Sequence, residues 1–585
     1  MEVFLPELAK IEIQRVRDMI RAYKEGRIDE EIFRRFRLEN GIYGIRFQKD
    51  IQLIRVKIPG GLLDSLQLKK FGEVARLFSS GMGHVTTRQD MEFPWVPLES
   101  VPEVLSYIAD VGLNSREACG NTVRNVTVCP LAGVSDEEAF DVTPYAKAVA
   151  NYFVRNPLSQ NLPRKVKISF EGCSTTDHVA TAIHDIGALA TIKENNGKAT
   201  RGFRIYVGGG LSTMPTEAAL LEEFTPASQL LPTFEAIVRI FDRLGNRDNA
   251  ARARIKFLIQ KVGFENFRQL VLKERTIVWS TRAGDRLWDI QEVDTEGEKD
   301  TGSNEDRTLP KSDTTEVAAN IVVARTSDQG FDAWIRTNVH SQRQPGYSYA
   351  YVTLPAGDIT SDQFLSLAEI ARRYSGGKLR TTRTQNLVLR WVNEDVIYQL
   401  YSELRSIGLG QPGANRLVNV VGCPGADTCN LAITHSHRLA LELFRQFSKR
   451  QDLVLAEDLK DVTIHVSGCP NSCGQHHIAP IGFYGSASRV NGKQAPYYTM
   501  LLGGEISLGS VTFGQVVAKV PAKRVPDAII RLIDTYRTER NNGETFMQWI
   551  RRLQEEERQQ EEEEIKSGSE QIHDEAAVIL GRDPS

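Results

Sequence analysis

The chain has 585 residues, a formal net charge of −3, 41% hydrophobic residues and 25% charged residues. These values are ordinary for a soluble globular protein of several domains, and they argue against a nucleic-acid partner. No apolar run approaches the roughly 20 residues a membrane helix needs, and residues 1–30 carry charges in place of an apolar signal segment. No membrane partner, a reducing compartment and a cytoplasmic location are therefore expected.

Residues 1–45 read as a charged helical extension, with Ile11, Ile13, Val16 and Ile20 spaced as on a helix. Residues 46–115 follow with a strand at 51–58, a Pro-Gly-Gly turn, an amphipathic helix at 66–78 and a second strand at 91–96. Residues 116–285 mix strands with helices and carry a Cys-Pro turn at Cys129 and a Gly-Cys turn at Cys173. Residues 286–315 read as an exposed linker, acidic and poor in apolar residues. Residues 316–410 return to strand–helix–strand, at 347–354, 361–374 and 387–392. Residues 411–550 mix strands and helices again. Residues 551–585, with acidic runs at 555–557 and 561–564, read as a solvated helix fading into a disordered tail.

The chain is written twice. Val166-Lys-Ile-Ser-Phe-Glu-Gly-Cys173 recurs as Val462-Thr-Ile-His-Val-Ser-Gly-Cys469, and Asn125-Val-Thr-Val-Cys-Pro130 as Asn419-Val-Val-Gly-Cys-Pro424. Thr86-Thr-Arg88 recurs as Thr381-Thr-Arg383, and Ile58-Pro-Gly-Gly61 as Leu354-Pro-Ala-Gly357. Four landmarks at nearly one offset imply two homologous halves. Strand–helix–strand units that recur twice can pair into one ferredoxin-like α+β unit. Val207-Gly-Gly-Gly210 and Leu502-Gly-Gly504 also correspond. They read as tight turns, because the first is not G-x-G-x-x-G and lacks a P-loop lysine.

Four of the seven cysteines fall in one spacing: Cys423 and Cys429 as C-x5-C, Cys469 and Cys473 as C-x3-C. Each pair follows an apolar, strand-like run (417–421 and 462–466) and sits in a Gly/Pro-rich turn. Four thiolates from two tight pairs can hold an iron–sulfur cluster. Zinc is the first competing metal, although C-x5-C is loose for it, and disulfides are the weakest reading. The first half keeps Cys129 and Cys173 but has Ser135 and Asp177 where the second has Cys429 and Cys473. Cys119, Cys129 and Cys173 read as buried small hydrophobes. Cations show the opposite asymmetry: Arg124, Lys165 and Lys167 align with Val418, Asp461 and Thr463. A cluster from one half and a cationic pocket from the other suggest one composite site at a pseudo-two-fold interface. His435, His437, His476 and His477 follow the cysteine pairs, and structural or surface roles are expected for them.

The cysteine set, the duplication, Thr86-Thr-Arg-Gln-Asp90 and Leu162-Pro-Arg-Lys-Val-Lys167 together resemble the sirohaem- and [4Fe–4S]-containing assimilatory sulfite and nitrite reductases, over residues 45–550. The resemblance implies an internally duplicated α+β fold: a ferredoxin-like parachute domain built from both halves, plus two related α/β domains at whose junction sirohaem and cluster lie. It implies Cys423, Cys429, Cys469 and Cys473 as cluster ligands, with the Cys473 thiolate shared with the sirohaem iron. It implies Arg88, Arg124, Lys165 and Lys167 as cations around the substrate, and Arg164 and Asn125 beside sirohaem. The activity implied is six-electron reduction of sulfite to sulfide or of nitrite to ammonia. An electron-rich haem repels an anion, so fixed cations must hold the substrate there. Lys165-Val166-Lys167 is similar to the family's sulfite-reducing pattern, whereas its nitrite reductases tend to carry Asn at the second position. Sulfite is therefore the expected substrate and nitrite the alternative. An iron–sulfur electron-transfer or structural subunit without sirohaem is the reading from another class. No flavin- or NADPH-binding segment is evident, so a ferredoxin or a separate flavoprotein reductase is the expected donor.

Overall fold

The computed structural model describes residues 6–195, 197–281 and 328–567; the expected linker at 286–315 and the tail beyond 567 lie outside them. The chain divides into two compact units. One comprises Met1–Gly210, Thr216–Pro412 and Ser507–Ser510, the other Leu211–Pro215, Gly413–Ile506 and Val511–Ser585. Among the described residues no helix is long and apolar enough to cross a membrane.

In the first unit, helices Pro6–Lys24 and Glu30–Glu39 occupy the N-terminal stretch. Asp29 caps the second, its carboxylate accepting the Ile32 N–H at 2.8 Å. Ile13, Val16 and Ile20 turn into the core while Ile11 is 65% exposed, so the apolar stripe is narrower than its spacing suggested.

Two five-stranded sheets follow. The first runs in the order Ile42–Ile45, Gln48–Val56, Met91–Pro97, Met82–Val85, Asp358–Thr360. The second runs Val339–Ser341, Tyr347–Val352, Leu387–Asn393, Lys378–Thr381, Leu62–Asp64. Each sheet therefore ends in a strand from the opposite half. Asp358 pairs with His84, and Lys378 with Asp64, both antiparallel. The exchanged strands feed directly into helices Ser65–Phe78 and Ser361–Tyr374. Both helices start on a complete capping box, Asp64 with Gln67 and Thr360 with Gln363. Behind the sheets Phe71, Phe93 and Phe364 meet at centroid distances of 5.5 to 6.5 Å, so the two halves share one core.

The first unit also holds a mixed sheet in the order Ala219–Pro226, Lys198–Val207, Ile186–Asn195, Val166–Glu171, Val123–Val128, with the last three strands parallel. The second unit is built on the same plan: Val421–Gly422, Ile464–Ser467, Ile481–Val490, Lys493–Leu502 and Gln515–Pro521, again with the first three parallel. The glycine turns correspond as well. Gly208 and Gly503 take φ of +83° and +86°, and a Cβ on Gly209 or Gly504 would stand 2.3 or 2.5 Å from a main-chain oxygen.

The run at 417–421 is not a strand before Val421; the chain turns there, with Asn419 N–H donating to Arg416 O at 2.8 Å and Asn415 at φ +58°. Leu417 and Val418 are fully buried, so their apolar character serves packing under a turn. The charged C-terminal helix Phe546–Ser567 is held at its start by Phe546 and Trp549 against Tyr536, at 5.4 and 5.5 Å.

Candidate active site and cofactor residues

Parallel pairing of Val123–Val128 with Val166–Glu171 sets Arg124 and Lys167 on neighbouring strands, with Lys165 just before the second strand. Arg88 sits in the turn between Met82–Val85 and Met91–Pro97. That turn is tied down tightly. Thr86 Oγ1 accepts the Arg88 and Asp90 N–H groups at 3.1 and 3.2 Å. Asn125 Nδ2 donates to Ile58 O at 2.8 Å and Arg88 O at 3.1 Å. Gln89 bridges Val128 and Thr381 of the two halves at 2.8 and 2.9 Å. The buried Arg88 guanidinium then donates to Asn125 O and to His184 Nε2, with Thr127 Oγ1 at 3.5 Å. Arg124 is fixed by main-chain oxygens: Nε and Nη2 donate to Gly120 O at 3.1 and 2.8 Å, and Nη1 to Ala118 O at 2.8 Å.

These cations share one field. Burial lowers the Arg88 pKa to about 10, with Arg124 pushing it the same way and Asp90 opposing. Burial also lowers Arg164, followed by repulsion from Arg124 and Arg254. His184 falls well below the usual imidazole range through burial, then through Arg88 and Lys167. Arg88, Arg124, Arg164, Arg254 and Lys167 are thus close enough to sense one another, and an incoming anion would relieve that repulsion. Two buried polar atoms here, Arg88 Nε and Asn125 Oδ1, have no hydrogen-bond partner in the protein. Buried groups of this kind normally find one, so the region fits a polar, carboxylate-bearing cofactor or an oxyanion.

Three members of this neighbourhood were not foreseen from sequence. His184 meets Arg88 from 96 residues away. Asp185 is fully buried and binds Arg254 through two contacts of 2.8 Å, while its Oδ2 also accepts the Lys167 N–H at 2.8 Å. No local motif marks these long-range partners; an Asp beside a His in a strand-entry turn is their only signal.

In the second unit the four cysteines lie on the turns after Val421–Gly422 and Ile464–Ser467. Cys423 and Cys469 are buried, Cys429 is half-buried and Cys473 is exposed. Main-chain amides point at sulfur: Gly468 N–H donates to Cys423 Sγ at 3.2 Å and Leu431 N–H to Cys429 Sγ at 3.4 Å. Burial pushes the Cys423 thiol up to about 12, with Cys473 adding to it. Cys469 is raised by burial and also by Cys473 and Cys429. The four sulfurs therefore occupy one neighbourhood where bare thiolates repel and a bound cation would neutralise them. Among the described residues no three of them fall within 4.8 Å of one another. One tetrahedral zinc, with Zn–S near 2.3 Å, would need sulfurs about 3.8 Å apart. The wider spread and the amide donors fit a polynuclear cluster better.

The histidines divide. His435 pairs with Asp427 at 3.0 Å on the surface. His476 is fully buried with neither ring nitrogen hydrogen-bonded, and burial drives its pKa down to about 2.

Residues 119–277 and 413–567 match the nitrite and sulphite reductase 4Fe-4S domain, and residues 47–111 and 340–407 the nitrite/sulfite reductase ferredoxin-like half domain. The chain belongs to the nitrite and sulfite reductase family. It is an oxidoreductase, and its family uses sirohaem and a [4Fe–4S] cluster. An assimilatory ferredoxin-dependent nitrite reductase of Haloferax mediterranei is 28% identical over 555 residues, covering 92% of this chain and 89% of the relative. A ferredoxin sulfite reductase of Mycobacterium tuberculosis is 27% identical over 508 residues, covering 86% of this chain and 82% of the relative. The solved structure of Mycobacterium tuberculosis NirA superposes with a TM-score of 0.74 at 25% identity, over 93% of this chain and 96% of that one. Relatives named for sulfite and for nitrite are equally similar, so family membership alone leaves the oxyanion open.

Proposed function

We propose that this protein reduces sulfite to sulfide in the cytoplasm with six electrons from a ferredoxin. The observation that carries the choice of sulfite is the second lysine. Lys167 lies on the strand beside Arg124, and its charge acts with that of Arg88 on His184. An extra cation in that field favours a dianion over a monoanion.

When bound, sirohaem and the cluster would supply the iron at which sulfur–oxygen bonds break and the relay for electrons from the ferredoxin. In this reading Cys423, Cys429, Cys469 and Cys473 would hold the cluster, and Cys473 would also serve as a ligand to sirohaem. Arg164 would pair with a sirohaem carboxylate, and the orphan Asn125 Oδ1 and Arg88 Nε would take partners from the bound cofactor or oxyanion. Arg88 and Arg124 orient the oxyanion by directional donation. Lys165 and Lys167 hold the protons that departing oxygens need to leave as water. His184 accepts from Arg88 and stays neutral, so it positions that guanidinium without adding repulsion.

A ferredoxin is supported by the relatives, one a ferredoxin-dependent nitrite reductase and the other a ferredoxin sulfite reductase. Basic docking residues near the cluster are weak candidates, since Arg438 is engaged by Asp427 at 2.6 Å and Arg416 by Glu457 at 3.5 Å. The test is purification from a host that makes sirohaem, an absorption spectrum, and kcat/KM for both oxyanions with reduced ferredoxin and with a flavoprotein reductase. Sharp haem bands with a preference for sulfite are expected. A strong preference for nitrite overturns the substrate, and cluster absorption without haem overturns the reductase reading.

A further inference from the structure

Away from the cationic array, four side chains of the first repeat converge in the core. Cys129 follows the strand Val123–Val128, Glu171 ends the strand Val166–Glu171, and Cys173 and His178 lie in the loop after it. The two sulfurs are 3.9 Å apart. Cys129 Sγ is 3.4 Å from His178 Nδ1, and that nitrogen is 3.6 Å from Glu171 Oε2. All four donor atoms lie within 4.8 Å of one another. Cys129, Glu171 and Cys173 are fully buried.

A tetrahedral zinc ion with Zn–S near 2.3 Å and Zn–N or Zn–O near 2.0–2.1 Å sets S···S at about 3.8 Å, S···N at about 3.5 Å and N···O at about 3.3 Å. The three measured separations match this within a few tenths of an ångström. We propose that Cys129, Cys173, His178 and Glu171 form a structural zinc(II) site, at the place in the first repeat that corresponds to the cluster turns of the second. The proposal is independent of which oxyanion the enzyme reduces.

The donor chemistry differs between the repeats in a consistent direction. Cys129 and Cys173 correspond to Cys423 and Cys469, but the second repeat has Ser467 and Gly474 where the first has Glu171 and His178. The two donors that complete a single-ion set are thus present only in the copy that lacks the second cysteine of each pair. Ser135, which stands where the second repeat has Cys429, is 3.4 Å from Cys173 Sγ as a hydroxyl neighbour. Two thiolates and a carboxylate leave one negative charge over after binding a dication, and the surroundings offset it. Glu171 Oε1 accepts the Gly172 and Cys173 N–H groups at 2.9 Å each, and Oε2 accepts the His178 N–H at 2.7 Å. Arg383 Nε donates to His178 O at 3.2 Å. With every protein position filled and the site closed, the ion would be structural, with no open place for substrate.

The test uses the full chain purified with its own cofactors, incubated with one equivalent of zinc sulfate and desalted. Zinc and iron are counted by mass spectrometry. About one tightly held zinc per chain is expected in addition to the iron, since a set of this kind binds strongly at neutral pH. The variant Cys129→Ser/Cys173→Ser is expected to lose at least roughly tenfold of that zinc while its iron and visible spectrum persist. X-ray absorption at the zinc edge of the wild-type protein is expected to show two sulfur and two nitrogen or oxygen scatterers. Should the double variant fail to fold, the wild-type zinc count and its edge spectrum still decide. The proposal is overturned by wild-type protein that retains no zinc, by a double variant that keeps it, by a four-sulfur shell, or by a Cys129–Cys173 disulfide in the isolated protein.

Discussion

Replacing Asp185 by Asn tests how the cationic array is held in place. Asp185 is fully buried, and every atom facing its carboxylate is a donor: Arg254 Nε at 2.8 Å, Arg254 Nη2 at 2.8 Å and the Lys167 N–H at 2.8 Å. An asparagine keeps the shape, but whichever way its amide turns, an NH2 group meets an N–H. The change removes the only partner charge in a buried bidentate pair, which costs about 3–5 kcal/mol, and leaves a donor unsatisfied for about 1–3 kcal/mol more. With overlap between the two, a loss of about 4 kcal/mol lowers the melting temperature by roughly 8–16 °C for a cooperative unit of a few hundred residues. Differential scanning calorimetry of the holoprotein reads this directly, and oxyanion turnover should fall with it, because the Lys167 backbone loses its anchor. The double variant Asp185→Asn/Arg254→Met should recover at least half of the loss, since it removes the stranded charge. A single variant that melts within about 2 °C of wild type would refute the reasoning, because a pair so enclosed cannot be exchanged at little cost.

Lys167→Asn should weaken sulfite more than nitrite. A unit charge about 6 Å away at an effective dielectric near 20 is worth roughly 3 kcal/mol to a monoanion and twice that to a dianion. After screening, the kcat/KM ratio should move toward nitrite by ~tenfold or more, measured in mildly alkaline buffer where sulfite is the dianion. Equal losses for both anions would remove the electrostatic basis for choosing sulfite. Cys473→Ser should abolish six-electron turnover with reduced ferredoxin, and full activity would rule out its bridging role. His184 carries a pH signature. Its folded pKa lies below the unfolded value, so the unfolded chain binds the extra proton in acid. Its contribution to stability is complete above the unfolded value of about pH 6.5 and is lost progressively as pH falls from there toward the depressed folded pKa, by at most about 1.4 kcal/mol per pH unit. Urea unfolding at several pH values should show that slope, and His184→Gln should flatten it; an unchanged slope would show that His184 is already charged in the fold.

The duplication, the cysteine pairs and the alternating helices and strands were legible because each is a local pattern with its own spacing. The helix expected at 361–374 forms as Ser361–Tyr374, and the structure starts it on a capping box of Thr360 and Gln363. Sequence did not show that Leu62–Asp64 and Asp358–Thr360 pair with the other half, because a three-residue strand carries no signal for its partner. The apolar run at 417–421 looks like a strand because burial demands the same residues under a turn. Cys129 and Cys173 look like small hydrophobes until their neighbours are known, and Glu171 and His178 become informative only once the fold brings them to the sulfurs. The same limit applies to Asp185 and Arg254, whose bond spans 69 residues.

The traded edge strands have a consequence for how the gene product can evolve. Neither copy can complete its own sheet: a fragment ending after the earlier copy would leave the Met82–Val85 strand bare and Leu62–Asp64 without a host. An uncovered strand edge invites pairing with other molecules, so such a fragment would tend to clump rather than fold. The duplicate segments are interlocked, free to diverge in which chemistry each supports yet unable to separate into two independent polypeptides.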